Sequence, residues 1–323
     1  MRSLFGFGAL FVVAGLFGAG CTPSSQYRYT GMVPAARPIP FDGRTAEKGT
    51  VVLEGSMTTQ SVERNVAPVL HDSALHVPEL TVDGSAAYAV SDHIELGVRL
   101  SYARYGWTEE TAAGTPPLPD KPSMLGAGPE MRAKISLDQG DLWTLGIAWN
   151  LMRWSMPIAE WQKTGSCAPG PSCYVDPLTA TVSPTYYQYA SSTTQEAWLL
   201  SLSVLLSRAF GEHGEYGHVF GGFAFHQTFG NDGFTDSTSS NGQVQTKGYA
   251  PIVTAGYGIR LRPMRIGASL FLPMGGDSTS IMWGFGGQLT LGVELGGPSD
   301  ATEPQGPPGP PPPVSAPNPA AMF

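Results

Sequence analysis

The chain of 323 residues carries 41 Gly and 29 Pro, 14% charged residues and a formal net charge of −8. Ordinary soluble domains hold about 25% charge, coiled coils need heptads that this much glycine breaks, and disordered chains carry more charge and fewer aromatics. Beyond the first twenty positions no apolar run reaches the roughly 20 residues that a membrane-spanning helix needs, which excludes a polytopic helical protein. The positive residues form no patch, so nucleic acid is excluded as a partner. What remains is a glycine-rich, mostly β protein.

Residues 1–20 open with one positive charge at Arg2 and continue as an uncharged apolar stretch, the make-up of a secretory signal. They end in Leu16-Phe17-Gly18-Ala19-Gly20-Cys21, which resembles the lipobox of bacterial lipoproteins. That resemblance implies signal-peptide cleavage and a lipid on the Cys21 thiol, although Gly18 stands where the family pattern has Leu. An ordinary signal peptide cut nearby is the alternative. Thr22 after the cysteine resembles the sorting pattern of outer-membrane lipoproteins. Residues 21–48 are polar, aperiodic and proline-bearing (Pro34, Pro38, Pro40) and read as a lipidated tether.

From 49 to 296 the hydrophobic period is close to two, the signature of half-buried strands. Val51, Leu53 and Met57 alternate with Glu54, Ser56 and Thr58; Leu80, Val82, Tyr88 and Val90 alternate with Thr81, Asp83 and Ser85. Ile94 to Tyr102 sets apolar even positions against Glu95, Arg99 and Ser101, and the fourth strand sets Met131, Ala133 and Ile135 against Glu130, Arg132 and Lys134. The fifth carries Trp143 to Leu151, the sixth Trp198 to Leu206, and the seventh spans the Gly- and Phe-rich 217–229. Ile259 and Leu261, then Ile266 to Leu272, then Trp283 to Leu295 complete ten. After Gly296 the Pro-rich tail, residues 297–323, favours polyproline II. It reads as a spacer towards peptidoglycan or as a disordered extension.

The connections alternate strictly. Short ones sit at Ser91-Asp92-His93, Asp138–Asp141, Gly211–Glu215 and Arg262-Pro263-Met264, and long ones near 59–78, 105–123, 153–194, 230–248 and 274–280. This predicts an all-β, up-and-down antiparallel transmembrane β-barrel of about ten strands (8–12), with short turns periplasmic and long loops outside. An even strand number leaves both termini periplasmic, in a bacterial outer membrane whose lipid also takes the anchor. Tyr102, Trp107, Trp143, Trp154, Trp198, Phe229, Tyr249 and Trp283 lie near strand ends as candidate interfacial girdles. Glu95, Arg99, Glu130, Arg132, Lys134, Arg260 and Glu294, with Arg262, are candidate lumen charges of both signs. A soluble β-sandwich would alternate too, and stays open as a lipid-anchored periplasmic alternative.

In general style the block resembles the small outer-membrane barrel families, most closely at Tyr88-Ala89-Val90-Ser91-Asp92-His93-Ile94-Glu95-Leu96-Gly97. Unlike them, its last strand ends at Leu295 without a terminal aromatic. Cys167 and Cys173 are close enough for a loop-closing disulfide in an oxidising compartment, and no nearby ligands complete a zinc site. Some ten-stranded barrels are proteases with an Asp/His pair at the rim; the nearest material here is His71, Asp72, His76, Asp232 and Asp236, without that spacing. His218 and His226, on one strand face, are too far apart to share a metal. Nucleophile elbows, phosphate loops and His-Glu-x-x-His are absent from the sequence. No catalytic, cofactor or metal residues are therefore assigned. The expectation is a non-enzymatic barrel with a structural, surface-binding or narrow-transport role towards a small solute or surface ligand; a hydrolase with a loop active site is the alternative.

Overall fold

A computed structural model describes residues 27–32, 34–64, 73–76, 78, 80–104, 123–168, 172–175, 184–211, 216–229, 248–274 and 281–296. Cys21, His71, Asp72, Trp107, Asp232, Asp236 and the Pro-rich tail lie outside them. Three short strands, β1 (Tyr27–Met32), β3 (Ser73–His76) and β8 (Cys173–Val175), accompany ten long ones. These are β2 (Thr50–Arg64), β4 (Leu80–Ser91), β5 (Ile94–Arg104), β6 (Ser123–Ser136), β7 (Trp143–Thr164), β9 (Tyr186–Ala209), β10 (His218–Phe229), β11 (Gly248–Leu261), β12 (Met264–Pro273) and β13 (Ile281–Gly296). Each long strand pairs antiparallel with the next, and β13 pairs with β2 from Ile281↔Arg64 to Gly296↔Thr50. That last ladder closes the barrel and removes both sheet edges.

The alternation read in the sequence is inverted relative to a soluble protein. Val98 and Leu100 are 58% and 57% exposed on the outer wall, while Glu95 and Arg132 are 0% and 1% exposed inside it. A soluble sandwich would bury that apolar face, because burying one such side chain stabilises by about 1.5–3 kcal/mol. In lipid the same face is solvated and every backbone polar group is paired around the ring. The lipid-anchored sandwich is therefore not the fold.

The outer wall also marks the depth of the membrane. On β7 the outward positions from Trp143 to Leu151 are uncharged, and Arg153 is the first charge beyond them. On β9 the matching stretch runs from Trp198 to Leu206, flanked by Glu196 and Arg208. Each is nine residues, and a tilted strand crosses the hydrocarbon in about 9–11. Arg153 pairs with Glu196 across the long-loop rim, both side chains more than half exposed. At the other rim the Arg208 guanidinium lies 5.1 Å from the Trp143 ring centroid.

Two expectations change. The loop expected over 153–194 is ladder for much of its length, since β7 and β9 stay paired from Arg153↔Trp198 to Thr164↔Tyr186. Pro157 and the run Ser191-Ser192-Thr193-Thr194 hid that continuation. The resulting hairpin stands beyond the long-loop rim, with β1 along β7, β3 parallel to β1, and β8 along β9. Trp154, expected in a girdle, is instead 1% exposed and points into the lumen with Met124 and Met152.

Candidate functional site

The segment expected to be a tether lies inside the barrel. Residues 34–41 are all buried and run as a strap through the lumen. Above them β1 pairs with Ile158–Gln162 of β7, past the membrane on the long-loop side. Below them Thr45 donates its hydroxyl to the Asp92 carbonyl at 2.7 Å, and Glu47 pairs with Arg262, both partners in short turns. The strap therefore travels from the long-loop end to the short-turn end before β2 begins at Thr50. Prolines suit such a path: Pro34, Pro38 and Pro40 have no N–H to satisfy and favour an extended chain.

Side chains grip the strap at each level. Met32 and Ala35 pack with Met124, Met152 and Trp154 near the outer end. Ala36 meets Ile252 and Phe271, and Ile39 and Phe41 meet Ala148, Leu205 and Phe220. Arg37 donates from Nη2 to Asp83 Oδ1 at 2.7 Å and to Ser101 Oγ at 3.0 Å. Asp42 receives Arg260 at 3.3 Å and lies 3.0 Å from His218 Nε2. Gly43 takes a positive φ of 84° where the chain bends past β7, and Thr144 Oγ1 donates to its carbonyl at 3.2 Å. The opposing residue must also be glycine, because a Cβ on Gly146 would stand 2.3 Å from Gly43 Cα.

The lumen charges form one network around this strap. Arg132 is bidentate to Glu54, at 3.0 and 2.9 Å, and donates from Nε to Glu130. Arg99 pairs with Glu130 as well, and Arg265 bridges Glu95 at 3.2 Å to Glu294. Glu95 in turn accepts the backbone N–H of Ala46, which ties the network to the strap. Arg260 donates to the carbonyls of Arg44 and Thr45 at 2.6 and 2.9 Å and lies 3.7 Å from Glu294. Ionised groups cut off from water are tolerable only when paired in this way.

Glu95, Arg99, Glu130 and Arg132 thus lie buried in the lumen, with Arg260 and Glu294 half-buried nearer the short-turn mouth. Lys134 sits at that mouth, bonded to Asp141 at 2.8 Å. Arg262 lies exposed in its turn at that mouth, paired with Glu47. Sequence reasoning missed Arg37, Asp42, Glu54, Asp83 and Arg265. Glu54 and Asp83 stood on the polar face of their strands, a usable signal, whereas Arg37 and Asp42 sat in an aperiodic stretch with none. His218 and His226 both turn inward and are buried. Among the described residues no group of three or more His, Cys, Asp or Glu side chains is placed to hold a metal ion. Cys167 and Cys173 form a disulfide that ties β8, paired along the start of β9, to the segment leaving β7. Behind it Trp161 is fully buried, edge-on to Tyr174 and Tyr189, and donates from Nε1 to Thr30 Oγ1 at 2.6 Å.

Beside the strap, a cavity of about 30 Å³ lined by Phe41, Arg132, Phe220 and Arg265 has room for water but not for a larger solute. Towards the short turns the lumen widens to an open vestibule of about 710 Å³, with Arg44, Asp92, Lys134, Arg260 and Arg262 in its wall.

No family model matches the chain, and no curated protein matches it in sequence. Several solved structures are similar. One is the N-terminal β-barrel domain of OprF from Pseudomonas aeruginosa, 10% identical, covering 77% of this chain and 100% of that chain at a TM-score of 0.28. Another is an outer membrane channel from Pseudomonas putida F1, 10% identical, covering 80% of this chain and 100% of that one at 0.43. A third is the beta domain of the Bordetella autotransporter BrkA, 13% identical, covering 77% and 100% at 0.38.

Proposed function

We propose that this protein is a non-enzymatic outer-membrane barrel whose own N-terminal segment keeps the lumen closed. Its role is then structural and surface-presenting, with the β7–β9 hairpin as the part offered to the exterior. The observation that carries this reading is the strap. Residues 34–41 occupy the lumen, and the inward charges bond to one another and to the strap instead of lining an open aqueous path. A barrel of this strand number is about large enough for side chains to fill, so a threaded segment leaves little room for solute. The vestibule at the short-turn mouth favours a second reading, narrow transport that requires the strap to move.

Conductance in planar lipid bilayers tests the proposal. The intact chain should give no steady ion current, and a variant lacking residues 27–46 should give discrete channel steps. A steady current from the intact chain would overturn it.

A further inference from the structure

The strap leaves the lumen carrying an unanswered charge. Arg44 follows the bend at Gly43, lies half-buried in the wall of the vestibule, and makes one side-chain hydrogen bond, from Nη2 to the Asp141 carbonyl. Among the described residues it has no carboxylate partner, and its Nε is buried without an acceptor. The acids around it are engaged elsewhere. Glu47 pairs with Arg262, Glu294 with Arg265 and Asp42 with Arg260, while Asp92 accepts the Lys48 N–H at 2.8 Å. Burial, and after it the neighbouring Arg260 guanidinium, outweigh the attraction of Asp42 and Asp141 and hold the Arg44 pKa below the usual arginine value. A half-buried cation without a counter-ion is unfavourable until an anion meets it.

A second cation stands beside it. Among the described residues Asp141 is the one non-glycine with a positive φ, 53°, a region that costs most side chains energy. From that turn its carbonyl accepts from Arg44 and its carboxylate accepts from Lys134 Nζ at 2.8 Å. Two cationic heads therefore converge on a residue with a single carboxylate, and Lys134 takes it. We propose that Arg44 and Lys134 form a binding site for a small oxyanion, a phosphate or carboxylate group, in the vestibule at the short-turn mouth. The guanidinium presents paired donors that match two oxygens of such a group, and the ammonium adds a point charge beside them. A spherical chloride ion cannot use that fork. The vestibule, at about 710 Å³, has room for the group and for a small molecule that carries it. The bound oxyanion bridges the strap, through Arg44, to β6, through Lys134, and so holds the lower end of the strap against the wall. The inference uses the path of the strap, on which the proposed function also rests, but not the closure of the lumen.

The test is calorimetric titration of the full chain in a non-ionic detergent, with inorganic phosphate and with malonate as probes and ionic strength held constant by sodium chloride. Saturable binding of at least one probe is expected. Arg44→Gln and Lys134→Gln should each weaken it by about tenfold or more, the loss of one charge-assisted hydrogen bond. Arg44→Lys, which keeps the charge without the fork, should fall between the parent and Arg44→Gln. Arg153→Gln, at the opposite rim, should bind as the parent does. Heat-modifiable migration establishes that each variant is folded. Saturation by phosphate alone assigns a phosphate group, by malonate alone a carboxylate, and by both a general oxyanion site. The absence of saturable binding for both probes, or an unchanged dissociation constant in folded Arg44→Gln and Lys134→Gln, overturns the site. Binding is measured without any current, so losing the site would leave the closed lumen standing, and a steady current from the intact chain would leave the site standing.

Discussion

Arg37 is the sharpest place to test whether the strap is held by specific chemistry. Its guanidinium reaches Asp83 at 2.7 Å and Ser101 at 3.0 Å, and the pair is nearly sealed from solvent, with side chains 9% and 1% exposed. In Arg37→Met the strap keeps an apolar side chain of similar length. Asp83 is then a buried carboxylate that has lost its ion-pair partner and keeps only the hydroxyls of Ser56 and Ser101 and the charge of nearby Arg99. Removing one partner of a buried pair costs about 3–5 kcal/mol, and because Arg37 belongs to the strap, that cost falls on the strap-in state. At about 1.4 kcal/mol per decade the strap-out population should rise by roughly two to four decades. Single-channel recording reads this as the ratio of open probabilities between variant and parent. Arg37→Met/Asp83→Asn removes both charges, keeps an acceptor for the serines, and should return most of the closure, since an uncharged pair is often no worse than a buried ion pair. If Arg37→Met stays as silent as the parent while the strap-deleted chain conducts, the ion pair does not hold the strap.

Other perturbations address separate contacts. Gly146→Val drives a side chain into Gly43 of the strap and should lower thermal stability in detergent by about 1–3 kcal/mol, whereas Gly165→Ala, with nothing within 4 Å, should leave the melting temperature unchanged. Replacing Cys167 and Cys173 by Ser reopens a loop with a sequence separation of 6, worth about 2 kcal/mol by loop closure. Limited proteolysis should then cut the hairpin tip faster while the barrel keeps its heat-modifiable migration. Burial raises the Asp141 carboxyl, but hydrogen bonds from Lys134 and Ser136 outweigh this and hold it below the usual carboxylate range. Its contribution is thus present above the ordinary aspartate pKa of about 3.9 and lost as pH falls through the lower folded value. In Lys134→Met a carboxyl NMR titration in micelles should move up towards that ordinary value, and an unmoved midpoint would show that Lys134 is not the cause.

Much of the barrel was legible because its rule is local. A wall strand has lipid on one side and lumen on the other, so Leu96, Val98 and Leu100 must alternate with Glu95 and Arg99 whatever the rest of the chain does. Turn lengths are also local, and their strict alternation orders ten strands into a ring. The hairpin was only half visible, because above the membrane neither face of β7 or β9 meets lipid and the polar run Ser191–Thr194 carries no period.

The amino-acid sequence by itself determined the wall: its strands, their inward charges and the cysteines that bridge. Only the tertiary structure decided what fills the lumen and which way it runs. A strap enclosed on all sides has no solvent face to contrast with a buried one, so residues 34–41 show no periodicity. Its partners, Asp83 for Arg37 and Arg260 for Asp42, lie 46 and 218 positions away in the chain. Contacts of that kind exist only once the ring has closed around the segment that they hold.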